Sequence, residues 1–238
     1  MPTQTRFVIL MHPKEFKQEK ASTGRLTQIC LANSEIQMGI GFDEHTQVQA
    51  LINDPAHYPV LLYPGEQAVN LSKGELHKEA LGGRRLVVFI LDATWACARK
   101  MLRLSLTLQA LPRIMFTPST LSRYVIKQQP QEGCLSTLEA THELLLALER
   151  GRLDEYAMPE QLLGLFARMQ QFQIKCARDP AKQGYRRGEY SDPTERRAAT
   201  GASGVRRNRF LRTPTEPADP AAGNTDTSQT NPPTAPQN

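Results

Sequence analysis

A chain of 238 residues is long enough for one substantial hydrophobic core with a tail or small appendage, and no apolar run in it approaches the ~20 residues of a membrane span. The four cysteines, Cys30, Cys97, Cys134 and Cys176, form no C-x-x-C pair, which argues against a zinc knuckle and a disulfide framework and fits a reducing cytoplasm. The net charge of +5 is unevenly spread: residues 1–177 hold 19 Lys and Arg against 17 Asp and Glu (net +2), residues 178–212 hold 10 against 4 (net +6), and residues 213–238 hold no basic residue and 3 acids (net −3).

In chain order, Arg6-Phe7-Val8-Ile9-Leu10-Met11 reads as a first buried strand, stopped at His12-Pro13. Ser22-Thr23-Gly24-Arg25 opens a short helix carrying Leu26, Ile29, Cys30 and Leu31. Thr46 to Ile52 is a second short helix, ended near Asp54-Pro55. Pro59-Val60-Leu61-Leu62-Tyr63 is another buried run, turned by Pro64-Gly65.

Leu86-Val87-Val88-Phe89-Ile90-Leu91 is six apolar residues without alternation, the pattern of a strand buried on both faces of a parallel sheet. It ends on Asp92, and a helical pattern over 94–104 follows at once. Ligands of open α/β sheets sit beyond the carboxyl ends of strands, so Asp92 stands where chemistry is usually done. The alternative is that Asp92 or Thr94 only caps the helix. Arg113 to Phe116 and Tyr124 to Ile126 read as two further strands, one of them short or at an edge, and 128–133 as a polar loop. Ser136-Thr137-Leu138-Glu139 is a capping box heading a periodic helix through about Glu149. Met158-Pro159-Glu160 starts the last helix, whose Leu162, Leu163, Leu165, Phe166, Met169, Phe172 and Ile174 are expected in the core.

This alternation predicts an α/β domain with a mostly parallel sheet flanked by helices, ending at about residue 177. The tail 178–238 is basic and then low in complexity, too poor in apolar residues to fold alone, and is expected to be disordered. Clustered arginines of this kind commonly neutralise phosphates; a solvated tail with a basic bias is the other reading. No G-x-G-x-x-G follows a strand, no Walker loop or G-x-S-x-G elbow is present, and His12, His45, His57, His77 and His142 are isolated, so no metal is expected. Three strand-to-loop junctions remain: Leu62-Tyr63-Pro64-Gly65, Asp92-Ala93-Thr94-Trp95, and the segment from Gly133 to Ala140. The third sets a helix N-terminus beside small hydroxyls, a ready anion site. Composition alone therefore says only that an α/β domain carries a small-molecule site near RNA or DNA.

Together these junctions resemble the DTW-domain family, named for an Asp-x-Thr-Trp motif that stands here as Asp92-Ala93-Thr94-Trp95. A second signature, Ser-Thr-x-Glu-Ala, stands as Ser136-Thr137-Leu138-Glu139-Ala140. His12-Pro13-Lys14-Glu15, Thr23-Gly24-Arg25 and Leu62-Tyr63-Pro64 follow the family's order, and the match spans about residues 6–175. The resemblance implies a fold like the trefoil-knotted SPOUT class. It implies transfer of the 3-amino-3-carboxypropyl group of S-adenosylmethionine to N3 of a uridine in tRNA, with release of methylthioadenosine. It also implies a soluble cytoplasmic enzyme with no membrane contact.

On that reading Asp92 is the candidate general base, or orients the base. Leu62, Tyr63, Pro64, Thr94, Trp95, Leu135, Ser136, Thr137 and Glu139 are candidates for holding the donor, with Trp95 walling off its methyl group. A packing role for Trp95 and a capping role for Glu139 stay open. His12, Arg25, Lys127, Arg186 and Arg187 are candidate tRNA contacts, with Arg196, Arg197, Arg206, Arg207 and Arg209 gripping phosphates alongside them. Two departures stand out: the cysteine-rich N-terminal segment of many relatives is missing before the first strand, and the family's Tyr-x-Leu-Arg is Tyr124-Val125-Ile126-Lys127, which keeps the charge but loses the guanidinium fork. A methyltransferase of the same knotted class, an aminocarboxypropyl transfer to ribosomal RNA, and a non-catalytic RNA-binding protein are the alternatives.

Overall fold

The computed structural model describes residues 1–18, 21–126 and 134–179; the polar loop expected at 128–133 and the tail from residue 180 lie outside them. The elements are, in order, β1 (Arg6–Met11), α1 (Pro13–Gln18), α2 (Thr23–Cys30), β2 (Ser34–Met38), α3 (Thr46–Asn53), β3 (His57–Leu62), β4 (Val69–Asn70), β5 (Arg85–Asp92), α4 (Trp95–Arg103), α5 (Leu106–Gln109), β6 (Arg113–Met115), α6 (Thr137–Arg150) and α7 (Pro159–Arg178). All strand pairs are parallel, in the order β2-β1-β5-β3-β6-β4. The uninterrupted apolar run of β5 is thus explained by its position: it has a strand on each side and helices on each face.

The two faces divide cleanly by strand period. Phe7, Val60, Leu86, Val88 and Ile90 point to one layer, where they meet Leu138, Leu144, Leu145 and Leu148 of α6 and Leu162, Phe166 and Met169 of α7. Val8, Leu10, Leu61, Val87 and Phe89 point to the other, against Val48 and Leu51 of α3, Met101 and Leu102 of α4 and Leu108 of α5. Successive strand residues alternate faces, so a strand with both faces covered must be apolar throughout.

Several features depart from the sequence pattern, among them the unexpected two-residue strand β4. Tyr124 to Ile126 is not a strand. Its backbone is instead held by α7: Gln170 Oε1 accepts from the Val125 N–H at 2.7 Å and Gln170 Nε2 donates to the Arg123 carbonyl, while the Tyr124 ring packs edge-on against Phe166. β2 escapes a search for apolar runs because it is an edge strand with Ser34, Glu35 and Gln37 in it. Pro13 ends β1 as expected but also opens α1, the helix position proline suits best. Finally, Phe172 is 65% exposed, although Leu162, Phe166 and Met169 of the same helix are buried as expected.

Candidate active site

The carboxyl ends of β1 and β5 lie level, with Met11 opposite Asp92, and the His12 N–H donates to the Asp92 carbonyl at 3.1 Å. The Asp92 side chain is 5% exposed. Thr137, the first residue of α6, donates from Oγ1 to Asp92 Oδ1 at 2.5 Å. On the other side Gly24, in the first turn of α2, approaches so closely that a β-carbon built on it would fall 2.3 Å from Asp92 Oδ2. The strand-end aspartate, the Thr23-Gly24-Arg25 segment and the Ser136-Thr137 segment therefore meet at one point. A hydrogen bond donated to a carboxylate is charge-assisted, and such bonds are the short, strong ones.

The two capping candidates separate. Thr94 is the N-cap of α4, accepting from the Cys97 N–H at 3.4 Å, while Asp92 Oδ1 accepts from Thr137 Oγ1. Trp95 follows the cap as the first residue of α4 and is half-buried. At the end of β3, which lies beside β5, Leu62 and Tyr63 are half-buried and Pro64 is exposed. The Tyr63 N–H continues the sheet by donating to the Ile114 carbonyl, the Arg113 guanidinium stands 5.6 Å from its ring, and burial pushes its hydroxyl above the ordinary tyrosine value.

The α6 N-terminus is a full capping box. Ser136 Oγ accepts from the Glu139 N–H, and Glu139 Oε2 accepts from the Ser136 N–H at 2.9 Å. Glu139, 4% exposed, also accepts from Ser136 Oγ, from Ser122 Oγ at 2.9 Å and from the Arg123 N–H at 2.5 Å. One turn on, Glu143 accepts from Ser119 Oγ at 2.6 Å and from the Ser119 N–H. These two buried carboxylates and Gln170 hold residues 119–125 across the head of α6. Of the two roles open to Glu139, the geometry displays the capping one. Leu135, just before the box, is half-buried.

His12 is buried, and its Nδ1 accepts from the Lys14 N–H at 3.2 Å, so the neutral ring carries its proton on Nε2. Burial lowers its pKa, helped by the charges of Lys14 and Lys100 and opposed by Glu15. Arg25 lies across the Phe16 ring, 4.3 Å from its centre, and donates from Nη2 to the Phe16 carbonyl, fastening α1 to α2. Lys127, Arg186 and Arg187 lie outside the described residues. Reading along the chain misses Glu143, Gln170 and the approach of Gly24 to Asp92. The one signal for the last is a glycine at the second position of a helix, where its conformational freedom is a cost unless space demands it.

Among the described residues no group of His, Cys, Asp and Glu is arranged to hold a metal ion, and no helix is long and apolar enough to cross a membrane. A family model described as "DTW domain" matches residues 1–174. The chain is similar to "tRNA-uridine aminocarboxypropyltransferase 2" of Drosophila melanogaster (31% identical over 150 residues, 61% of this chain and 57% of that protein) and of Mus musculus (27% over 179 residues, 74% and 59%). It is also similar to "tRNA-uridine aminocarboxypropyltransferase A" of Arabidopsis thaliana (26% over 196 residues, 74% of this chain and 73% of that protein). The chain thus spans less than two thirds of the length of the fly and mouse proteins. No solved structure matches.

Proposed function

The chain belongs to the DTW-domain family, and on that premise we propose that it is a tRNA-uridine aminocarboxypropyltransferase using S-adenosylmethionine as donor and uridine N3 as acceptor. The observation that carries this reading is the convergence of three separate family segments on the Asp92 carboxylate. The same reading gives the domain through residue 177 the knotted topology of the SPOUT class, puts the protein in the cytoplasm, and has Arg186 and Arg187 of the tail contact tRNA phosphates.

The residues present fit a ligand that sets a cationic centre beside an aromatic ring. Asp92 offers a buried, hydrogen-bonded carboxylate, and half-buried Leu62, Tyr63, Trp95 and Leu135 offer apolar surface at the ends of β3 and β5 and the starts of α4 and α6. Bound there, the donor supplies a positively charged sulfur whose attached carbons are all electrophilic. The work of the protein is to choose among those carbons, and placement of this kind contributes several kcal/mol of barrier reduction. Trp95 covers the methyl group, so that the aminocarboxypropyl arm faces the base. Thr137 holds Asp92 in one orientation, and Gly24 prevents the carboxylate from swinging away. Asp92 accepts the uridine N3 proton as the new N3–C bond forms and the C–S bond breaks to release methylthioadenosine, the stage at which that proton becomes strongly acidic and a carboxylate suffices as base.

The test is incubation of the full chain with donor and total tRNA, followed by mass mapping of the nucleosides and analysis of the spent donor. Methylthioadenosine in equal amount to an aminocarboxypropyl-uridine supports the reading. S-adenosylhomocysteine with a methylated nucleoside overturns it in favour of a methyltransferase.

A further inference from the structure

Helix α4 starts three residues beyond Asp92 and carries no acidic residue. It buries Ala98, Met101 and Leu102, leaves Lys100 and Arg103 exposed, and presents Arg99 half-exposed. Lys14 of α1 stands three residues beyond Met11, the end of β1 that lies opposite Asp92, and its charge and that of Lys100 both bear on His12. Arg99 and Arg113 bear in the same way on Tyr63, at the end of the strand on the other side of β5. Cations from α1, α4 and β6 therefore stand on both flanks of the carboxyl end of the sheet, with Glu15 the acid set among them.

Among the described residues the ion pairs are Arg6 with Glu35 and His57 with Asp54. Lys14, Lys100 and Arg103 take part in neither. The helix dipole favours both Lys100 and Arg103, which lie in the last turn of α4. It does not account for Lys14, which is on a different element, nor for Arg99, which precedes the last turn. Exposed Lys and Arg beside a site for a nucleotide base are complementary to a nucleic-acid backbone, from which they displace counterions.

We propose that Lys14, Lys100 and Arg103 form the surface on which the RNA backbone flanking the target nucleotide docks, so that the folded domain itself grips phosphates. The inference rests on the RNA-modifying reading above and names the part of the protein that seats the substrate. Lys100 and Arg103 are three positions apart on one helix, an axial offset of ~4.5 Å, and face the same way.

The experiment measures tRNA affinity of the full chain across a salt series, for the wild type and for the triple variant Lys14→Gln, Lys100→Gln, Arg103→Gln. Donor affinity is measured in parallel by calorimetry. The expected result is a slope of log affinity against log salt that falls by about 2 to 3 in the variant, at ~0.7–0.9 per phosphate contact, with donor affinity unchanged. A companion variant, Lys100→Arg, keeps the wild-type slope. A triple variant with wild-type tRNA affinity and slope overturns the proposal, as does weakened binding with an unchanged slope. A wild type that transfers no aminocarboxypropyl group yet loses RNA slope in the variant overturns the catalytic reading alone; a wild type that binds no RNA overturns both.

Discussion

Gly24 packs against Asp92 so tightly that a β-carbon on the glycine would fall 2.3 Å from one carboxylate oxygen and 2.6 Å from the carboxyl carbon. Asp92 has little room to yield, because its other oxygen is fixed by Thr137 at 2.5 Å. Gly24→Ala should therefore displace the carboxylate or push α2 away from β5. Displacements of this size cost on the order of 100-fold in rate. Helix propensity, which favours alanine by about 1 kcal/mol, offsets part of the steric strain in stability. The expected outcome is a sharp fall in kcat/KM with a melting temperature changed by only a few degrees; wild-type kinetics would remove Gly24 from the site.

Asp92→Asn keeps the size of the side chain and leaves an amide oxygen for Thr137 to donate to, but removes the acceptor for the uridine proton. Transfer to tRNA should fall by roughly a thousandfold, within the range for loss of a general base. Circular dichroism and donor titration report whether the variant is folded. A folded variant with undiminished turnover would strip Asp92 of the base role.

Thr137 is separated from Asp92 by a single hydrogen bond, which Thr137→Ser preserves and Thr137→Val deletes at nearly constant volume. The serine variant should transfer at close to the wild-type rate, and the valine variant more slowly by about tenfold, equivalent to the ~1.5 kcal/mol of a hydrogen bond to a charged group. Equal rates in the two variants would mean that Thr137 does not orient the carboxylate.

Glu139 accepts from the Ser136 N–H and hydroxyl, the Ser122 hydroxyl and the Arg123 N–H. Glu139→Ala leaves these donors without their acceptor in a buried setting, for which about 3 kcal/mol is the expected loss. Chemical denaturation measures it. A loss below 0.5 kcal/mol, on the scale of ordinary surface substitutions, would show that the segment 119–125 is held by Glu143 and Gln170 alone.

His12 and His142 both have pKa values lowered from 6.5, in each case mainly by burial, with His142 also bonded to the Tyr156 hydroxyl at 2.8 Å. A lowered folded-state value means that the unfolded chain binds more protons as pH falls through 6.5. Stability is therefore full above that pH and declines below it, levelling off only under the folded-state values. Urea midpoints measured from pH 7.5 to 5 should fall, and His142→Gln should flatten part of the decline. A midpoint that rises over the same range would contradict the sign.

The legible parts of this molecule are those written over short distances. The apolar run from Leu86 to Leu91 announces a central strand, Ser136 with Glu139 announces a helix start, and both stand where expected. Asp92 is legible for the same reason, being the residue on which that run ends. The contacts that make it a site are not: Thr137 is 45 positions away, and the approach of Gly24 depends on where α2 lies on β1 and β5. Tyr124 to Ile126 misleads because its β-favouring residues satisfy their backbone through the side chain of Gln170, a partner no local pattern can reveal. β2 and β4 are missed because edge strands and two-residue strands carry no apolar run.

The position of β5 between β1 and β3 also governs how the chain acquires its shape. Arg6 pairs with Val87 and His57 pairs with Arg85, so β1 and β3 have no direct bond to each other, and although β1 can pair with β2 early, it is joined to β3 only by a strand that is synthesised later. Such distant pairing makes for slow folding and leaves incomplete chains adhesive. A nascent chain on the ribosome that stops short of Arg85 leaves β3 unmated and one edge of the β1–β2 pair open, and residues 12, 24 and 92 become neighbours only after the middle of the sheet has been laid between them.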